Sequence, residues 1–179
     1  MKPIGPLMRE HRLIERMISV LAEKLRRASE VNSIDPGLID TATDFLAMYA
    51  DRTRHGKEED ILFRELAKKE LAREHVATMN ELIQEHRFAR KTVSDLIEAK
   101  KSYFQGDLSA QKSLIMSMER LVELYPRHIE KEDKHFFYPA MDYLSQTEQA
   151  NMPQEFWDFD REMIHKKYRK VVEGLGDGK

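Results

Sequence analysis

The chain has 179 residues, seven histidines, no cysteine and a formal charge of −2 from 30 basic and 32 acidic side chains. This length suits one soluble domain with a short appendage. The absence of cysteine excludes disulfide scaffolds, thiolate metal sites and iron–sulfur clusters, so any metal must be held by nitrogen and oxygen ligands. The nearly balanced charge argues against an electrostatic nucleic-acid binder.

Apolar residues recur at helical spacing over four long stretches. With only seven glycines and six prolines, the chain has few places to turn sharply. We predict four helices, over about residues 7–30, 38–66, 74–104 and 109–138. Residues 32–37 carry the asparagine, proline and glycine of a break between the first two. Four helices of this length joined by short turns are typical of an up-down four-helix bundle, so the predicted fold class is all-α.

A fifth helix is predicted beyond the bundle. Ser145 and Glu148 have the spacing of a capping box, and Pro153 suits the first turn of a helix, which we place at 154–175. This helix carries the only tryptophan of the chain, Trp157, beside two phenylalanines. Because so much apolar surface must be covered, we expect the helix to pack on the bundle.

The predicted organisation is therefore a four-helix bundle over residues 1–142 and a C-terminal helical extension over 143–179. No apolar run approaches the roughly 20 residues that a membrane-spanning helix needs, and the first six residues lack the apolar core of a secretion signal. We expect a cytoplasmic protein that binds neither membranes nor nucleic acids.

Two pairs of similar segments form an internal repeat. Residues 55–63 read H-G-K-E-E-D-I-L-F and residues 128–136 read H-I-E-K-E-D-K-H-F, so both contain H-x-x-x-E-D followed three residues later by phenylalanine. Residues 10–13 read E-H-R-L and residues 85–88 read E-H-R-F. The two pairs are separated by nearly the same distance along the chain. Two helical hairpins of one design would produce this pattern.

Helical spacing brings the polar residues of the repeat to the inward faces. Residues four apart lie on one face of a helix, so each H-x-x-x-E pair points in one direction. His128 continues the apolar row that contains Leu121 and Tyr125, and the histidines at 11 and 86 also lie in line with apolar residues. A histidine or glutamate on such a face is costly to bury without a partner. Each of the four helices thus directs a histidine into the core.

This arrangement predicts a ligand set for two metal ions. The six predicted ligands are His11, His55, Glu59, His86, His128 and Glu132. The histidines of the first two helices are assigned to one ion, those of the third and fourth to the other, and the two glutamates bridge them. Glu58 is the alternative bridge, but Glu59 is preferred because its i+4 spacing matches the second half. Mixed imidazole and carboxylate ligation suits two iron ions joined by an oxo or hydroxo bridge, with manganese or zinc as substitutes.

The constellation resembles the hemerythrin-like family, also called the HHE cation-binding domain, over about residues 7–140. The resemblance implies a four-helix bundle around a non-haem di-iron centre. It implies the same six ligands, with one histidine each from the first and third helices and a histidine–glutamate pair each from the second and fourth. Oxygen-carrying hemerythrins have a second histidine one turn after that of the third helix, where this chain has Arg90.

The missing fifth histidine bears on the function that the resemblance implies. Four histidines leave an open position on both irons. Such a centre is more similar to the family branch of iron–sulfur cluster repair proteins and nitric-oxide- or peroxide-responsive proteins. The repair proteins usually carry a cysteine-bearing N-terminal extension, and this chain has no cysteine. Reversible oxygen carriage and cluster repair by that route are both disfavoured.

Tyr125 and the three remaining histidines have different predicted roles. Tyr125, one turn before His128, is either a hydrogen-bond donor to the bridge or to an iron-bound oxygen species, or an ordinary core tyrosine. His135, two turns after His128, is a candidate cofactor-binding residue, either as a fifth nitrogen ligand or as a donor behind the ligands, or else a core residue. His75 lies three turns before His86 and is too far away, and His165 lies on the fifth helix.

The sequence therefore predicts a di-iron protein that binds or reacts with O2, NO or peroxide, without deciding whether it turns over. The alternative is an iron- or oxygen-responsive sensor in which the fifth helix transmits metal occupancy to a partner. A metal-free helical scaffold is a third reading. The expected partners are a small diatomic or peroxide ligand, with a redox partner or a second copy of the chain as further candidates.

Overall fold

The computed structural model describes residues 2–31 and 34–176, which form five helices and contain no strand. The helices are α1 (Ile4–Val31), α2 (residues 36–66), α3 (Arg73–Phe104), α4 (residues 110–141) and α5 (Gln146–Gly176). Within the described ranges, no helix combines the length and apolarity needed to cross a membrane. The all-α fold with an additional C-terminal helix is confirmed. Residues 32 and 33 of the predicted break lie outside the described part of the chain.

The helices begin and end at recognisable signals. The side chain of Asp35 accepts a hydrogen bond from the Gly37 N–H at 2.9 Å, and Pro36 occupies the first turn of α2. After α3 the chain turns at Gly106, whose φ of 98° lies in the left-handed region that glycine tolerates best. These signals make the connections short, so that successive helices pack against one another.

Two helices contain wide π-helical turns. In α2, the segments Phe45–His55 and Glu58–Phe63 are π-helical, between α-helical Pro36–Asp44 and Arg64–Leu66. In α4, the π-helical segment is Lys131–Phe136. Such turns are rare and are often found at functional sites. Here they coincide with the H-x-x-x-E-D repeats.

The bundle core consists of two apolar clusters with a polar layer between them. In α1, Leu7 belongs to one cluster and Ile14 to the other, and in α3 the same holds for Leu82 and Ala89. Helices α1 and α3 each contact both α2 and α4. A histidine lies between the two clusters on each of the four helices.

The start of α5 differs from the prediction. The capping box is confirmed, since Ser145 Oγ accepts the Glu148 N–H at 3.2 Å and Glu148 accepts the Ser145 N–H at 2.7 Å. The box caps α5 itself, so the helix begins at Gln146 and Pro153 lies in its interior. A proline there removes one hydrogen bond and crowds the preceding turn. The neighbouring Met152 and Phe156, which are both buried, compensate by packing into the core.

The aromatic residues of α5 have different environments. Phe156 is buried, whereas Trp157 is 58% exposed and lies under the guanidinium of Arg161 at 5.0 Å. The ring of Phe159 lies against Gly56 of α2. The division into domains at residues 142 and 143 stays a prediction.

Replacing Gly56 by alanine should separate α5 from α2. A Cβ at this position would lie 2.7 Å from Cζ of Phe159, which is closer than carbon atoms approach. We expect a loss of about 1–3 kcal/mol of unfolding free energy, measured by urea denaturation. Gly37→Ala is the control, because its Cβ would meet Asp35 Oδ1 at 3.4 Å, an ordinary contact. Equal stability of the two variants would contradict the tight contact with Phe159.

Candidate metal centre

The polar layer contains six ionisable side chains that solvent does not reach. They are His11, His55, Glu58, His86, His128 and Glu132, each between 0% and 2% exposed. Groups of this kind are buried only when they are paired or bind a metal. The structure thus brings together five of the six predicted ligands, and Glu58 in place of Glu59.

The six side chains form two overlapping groups. Each member offers one nitrogen or oxygen atom, and within a group these atoms lie within 4.8 Å of one another. The first group, which we call the three-histidine position, consists of His55, Glu58, His86 and His128. The second, which we call the acidic position, consists of His11, Glu58 and Glu132. Glu58 belongs to both groups.

This grouping differs from the predicted assignment of histidines to the two ions. The repeat predicts that His55 shares an ion with His11, but the ring of His55 stacks on that of His86 with centroids 3.9 Å apart and lies 5.5 Å from that of His128. The imidazole of His11 stacks instead on Phe137 at 5.8 Å. The reason is that helix contacts, which the repeat does not encode, set which inward side chains meet.

The atoms that face the centre lack hydrogen bonds. Among the described residues, Nε2 of all four histidines and Oε1 of both Glu58 and Glu132 are buried without a hydrogen-bond partner. Two of these nitrogens nevertheless lie close to a carboxylate, that of His11 2.9 Å from Oε2 of Glu132 and that of His128 3.2 Å from Oε1 of Glu132. Most buried polar groups are hydrogen-bonded, so six buried atoms without a hydrogen bond in one place require an explanation. Imidazole nitrogen and carboxylate oxygen are ligands of iron, manganese and zinc. The residues present therefore fit a metal site.

Carboxylates hold the far side of the imidazoles. The Nδ1 atom of His11 lies 2.6 Å from Asp133, that of His86 lies 2.7 Å from Glu59, and that of His128 lies 2.8 Å from Glu85. The fourth, in His55, approaches Asp51 at 3.4 Å without a hydrogen bond. Metal-binding histidines usually donate their second nitrogen to a carboxylate in this way, which directs the other nitrogen at the metal.

The structure places Glu58, and not the predicted bridge Glu59, among the buried side chains of the layer. Glu59 accepts hydrogen bonds from Arg90 and lies against Nδ1 of His86, at the edge of the layer. Glu58 lies inside it. On a helix, positions i+3 and i+4 fall about 60° and 40° to either side of residue i, so spacing from His55 cannot distinguish them. The two glutamates differ in their partners, because the guanidinium of Arg90 holds Glu59 at the edge of the layer.

Arg90 pairs with two carboxylates at the edge of the layer. Its Nε donates to Asp51 at 2.7 Å and its Nη2 donates to Glu59 at 2.7 Å. Asp51 and Glu59 are the carboxylates beside His55 and His86, respectively. The residue that stands where oxygen carriers have a histidine is therefore a cation that fixes two carboxylates behind the candidate ligands.

The other predicted residues have separate environments. Tyr125 is buried, its ring lies 6.1 Å from that of His55, and its hydroxyl has no hydrogen-bond partner among the described residues. His135 is exposed and lies outside the buried layer, and its role as a cofactor-binding residue stays a prediction. His75 lies away from the layer, with Nδ1 2.7 Å from the hydroxyl of Tyr143, and His165 is exposed.

Sequence reasoning missed two buried cations beside the layer. Arg54 donates to Glu58 and, at 2.9 Å, to Glu132. Lys57 pairs with Glu10 of α1 and, at 2.8 Å, with Asp160 of α5. Both side chains are about 1% exposed. The i+4 spacing from Arg54 to Glu58 was the one signal available, but this spacing is equally common in solvated ion pairs.

The charges in the layer shift the pKa values in opposite directions. Burial, together with the neighbouring His86 and His128, lowers the pKa of His55 well below its usual value. Burial raises the pKa of Glu58 to about 7, against the opposing effect of Arg54. For Glu132 burial also favours the neutral acid, but Arg54 and His128 outweigh it and hold the pKa well below the usual range. Glu132 is therefore the carboxylate that stays ionised.

Comparison with known proteins agrees with this geometry. No curated protein and no solved structure matches the chain significantly. One protein family does match, over residues 2–140, which is most of the chain and includes all four bundle helices. Its description names a cation-binding domain, and the buried cluster of histidines and glutamates fits a metal-binding protein. The chain belongs to the family of the hemerythrin HHE cation binding domain.

Proposed function

We propose that the chain is a cytoplasmic non-haem di-iron protein that binds or reacts with O2, NO or peroxide. The observation that carries this proposal is the set of six buried atoms without a hydrogen bond, four imidazole nitrogens and two carboxylate oxygens, that converge in one layer. The proposed ligands are His11, His55, Glu58, His86, His128 and Glu132. Iron is proposed over manganese or zinc because the mixed donor set and the family favour it.

The protein's own residues would orient and shield the centre. Bound iron would supply redox chemistry and open coordination positions for the small ligand. The carboxylates behind the imidazoles fix the ring orientation, and the two apolar clusters on either side exclude water. The buried hydroxyl of Tyr125 is available as a hydrogen-bond donor to a ligand near His55.

Loading the metal-free protein with Fe(II) under argon tests the proposal. We expect two ions per chain, counted after dialysis. We also expect near-ultraviolet and visible absorption bands of an oxygen-bridged iron pair after exposure to air. Titration of the reduced protein with O2, NO and peroxide then identifies the ligand. Fewer than two ions per chain would contradict the di-iron proposal.

The affinity for metal should rise with pH. Burial alone lowers the pKa of His128, but Glu132 and Glu85 raise it to about 9 in the metal-free protein. A metal ion must displace that proton, so we expect affinity to increase about tenfold per pH unit from neutral pH to about pH 9 and then to level off. Titration with Mn(II) measures the effect.

The control for this pH dependence is Glu85→Gln. Glu85 lies on Nδ1 of His128, and the neutral amide would stabilise the imidazolium less. The affinity should then level off at a lower pH than in the wild-type chain. An identical profile in both proteins would show that His128 does not carry the displaced proton.

One observation favours the alternative function, a sensor that signals through α5. Lys57 and Gly56, which contact α5, lie between the proposed ligands His55 and Glu58 along the chain. Hydrogen exchange of Met152–Asp160 with and without Fe(II) tests this coupling. A sensor should show slower exchange there with iron, whereas unchanged exchange favours a helix that only packs.

A further inference from the structure

Arg54 holds both carboxylates of the acidic position. Its guanidinium donates to Oε2 of Glu58 and to Oε2 of Glu132. All three side chains are at most 1% exposed, so water does not screen these ion pairs. An arginine cannot release its charge by losing a proton in a protein. The guanidinium is therefore a fixed positive charge at the carboxylates that a cation would use.

The two metal positions are unequal in their relation to Arg54. The three-histidine position has three imidazoles and shares a single carboxylate, Glu58, with the guanidinium. The acidic position has one imidazole, that of His11, and both of its carboxylates are paired with Arg54. Any cation at the acidic position must share or displace those charge-assisted hydrogen bonds.

We propose that Arg54 competes with the metal for the acidic position, so that the chain takes up its two ions in order. The first ion binds at the three-histidine position. The second binds more weakly, because its ligands Glu58 and Glu132 must first give up interactions with the guanidinium. This inference rests on the proposed binding of two ions and adds a residue that regulates the second one.

The internal repeat provides a matched comparison. Arginine precedes the histidine in both halves, as Arg54 before His55 and as Arg127 before His128. Arg127 is 78% exposed in its side chain and pairs with Glu123 at 3.3 Å on the surface of α4. Of these two arginines, only Arg54 is buried beside the proposed ligands. Arg127→Gln is the control for Arg54→Gln, since both changes remove one arginine charge.

Anaerobic equilibrium dialysis of the full chain against Fe(II) tests the proposal. The wild-type chain should bind two ions with dissociation constants that differ by at least about tenfold. In Arg54→Gln the second ion should bind at least about tenfold more tightly, with little change in the first. Arg127→Gln should behave as the wild type.

A second variant covers the case in which Arg54→Gln does not fold without metal. Arg54→Lys keeps the charge but replaces the two-armed guanidinium by one ammonium group, which pairs with the carboxylates less well. We expect its second ion to bind severalfold more tightly than in the wild type. An unchanged or weaker second ion in the folded variants would overturn the proposal. Failure of the wild-type chain to bind any iron would instead overturn the proposed function.

Discussion

Glu58→Gln is expected to reduce the iron bound per chain from two ions to at most one. Glu58 belongs to both proposed metal positions and accepts a hydrogen bond from Arg54. The neutral amide removes one of the two carboxylates in the layer and the ability to bridge two ions. Iron counted after anaerobic dialysis measures the loss.

Glu59→Gln is the matched variant, one residue along the same helix. Glu59 lies behind His86 and is held by Arg90, so its loss should weaken metal affinity about 10–100-fold while two ions still bind at high Fe(II). His135→Ala, at an exposed position, should have no effect. The reverse order, with iron lost in Glu59→Gln and retained in Glu58→Gln, would restore Glu59 as the bridge.

Lys57→Met should lower the free energy of unfolding by about 3 kcal/mol, or about 6–12 °C in melting temperature. The ammonium group of Lys57 is buried between Glu10 and Asp160, and its removal leaves two adjacent carboxylates without a counter-charge. The expected loss lies at the lower end for a buried pair because Glu10 and Asp160 are 18% and 32% exposed. Thermal and urea denaturation of the metal-free chain measure it.

Lys134→Met is the control for Lys57→Met. Lys134 is 66% exposed and pairs with Glu130 within one helix, an arrangement that contributes less than about 0.5 kcal/mol. The two substitutions are chemically identical, so the difference between their losses of unfolding free energy measures the effect of burial. Similar stability of both variants would show that Glu10 and Asp160 gain enough water when Lys57 is lost to remain charged at no cost.

The helices were predictable because their apolar residues keep one period over long stretches. The capping box at Ser145 was also predictable, since it depends only on local hydrogen bonds. The start of α5 was not, because the prediction treated Pro153 as a first-turn residue. Its position inside the helix depends on the burial of Met152 and Phe156, which is a property of the packed bundle.

The sequence predicts which helix faces carry the site, but it does not predict which side chains meet there. Periodicity directs the histidines inward, but it does not show that His55 meets His86 rather than His11. The same limit applies to Glu58 and Glu59, which pair with Arg54 and Arg90, respectively. In a chain with 35% charged residues, the sequence has no local signal that separates buried cations from solvated ones.

The π-helical segments have a consequence for how this centre can change during evolution. A π-helical turn holds more residues than an α-helical turn of the same helix. Deleting one residue from Phe45–His55 can therefore be absorbed by tightening the helix, without creating a loop. Because a π-helical turn of about five residues covers nearly the same rotation as an α-helical turn of about four, such a deletion would leave the helix on either side of the segment facing nearly the same way. Single-residue changes in segment length can thus occur beside His55 without turning its side chain out of the layer.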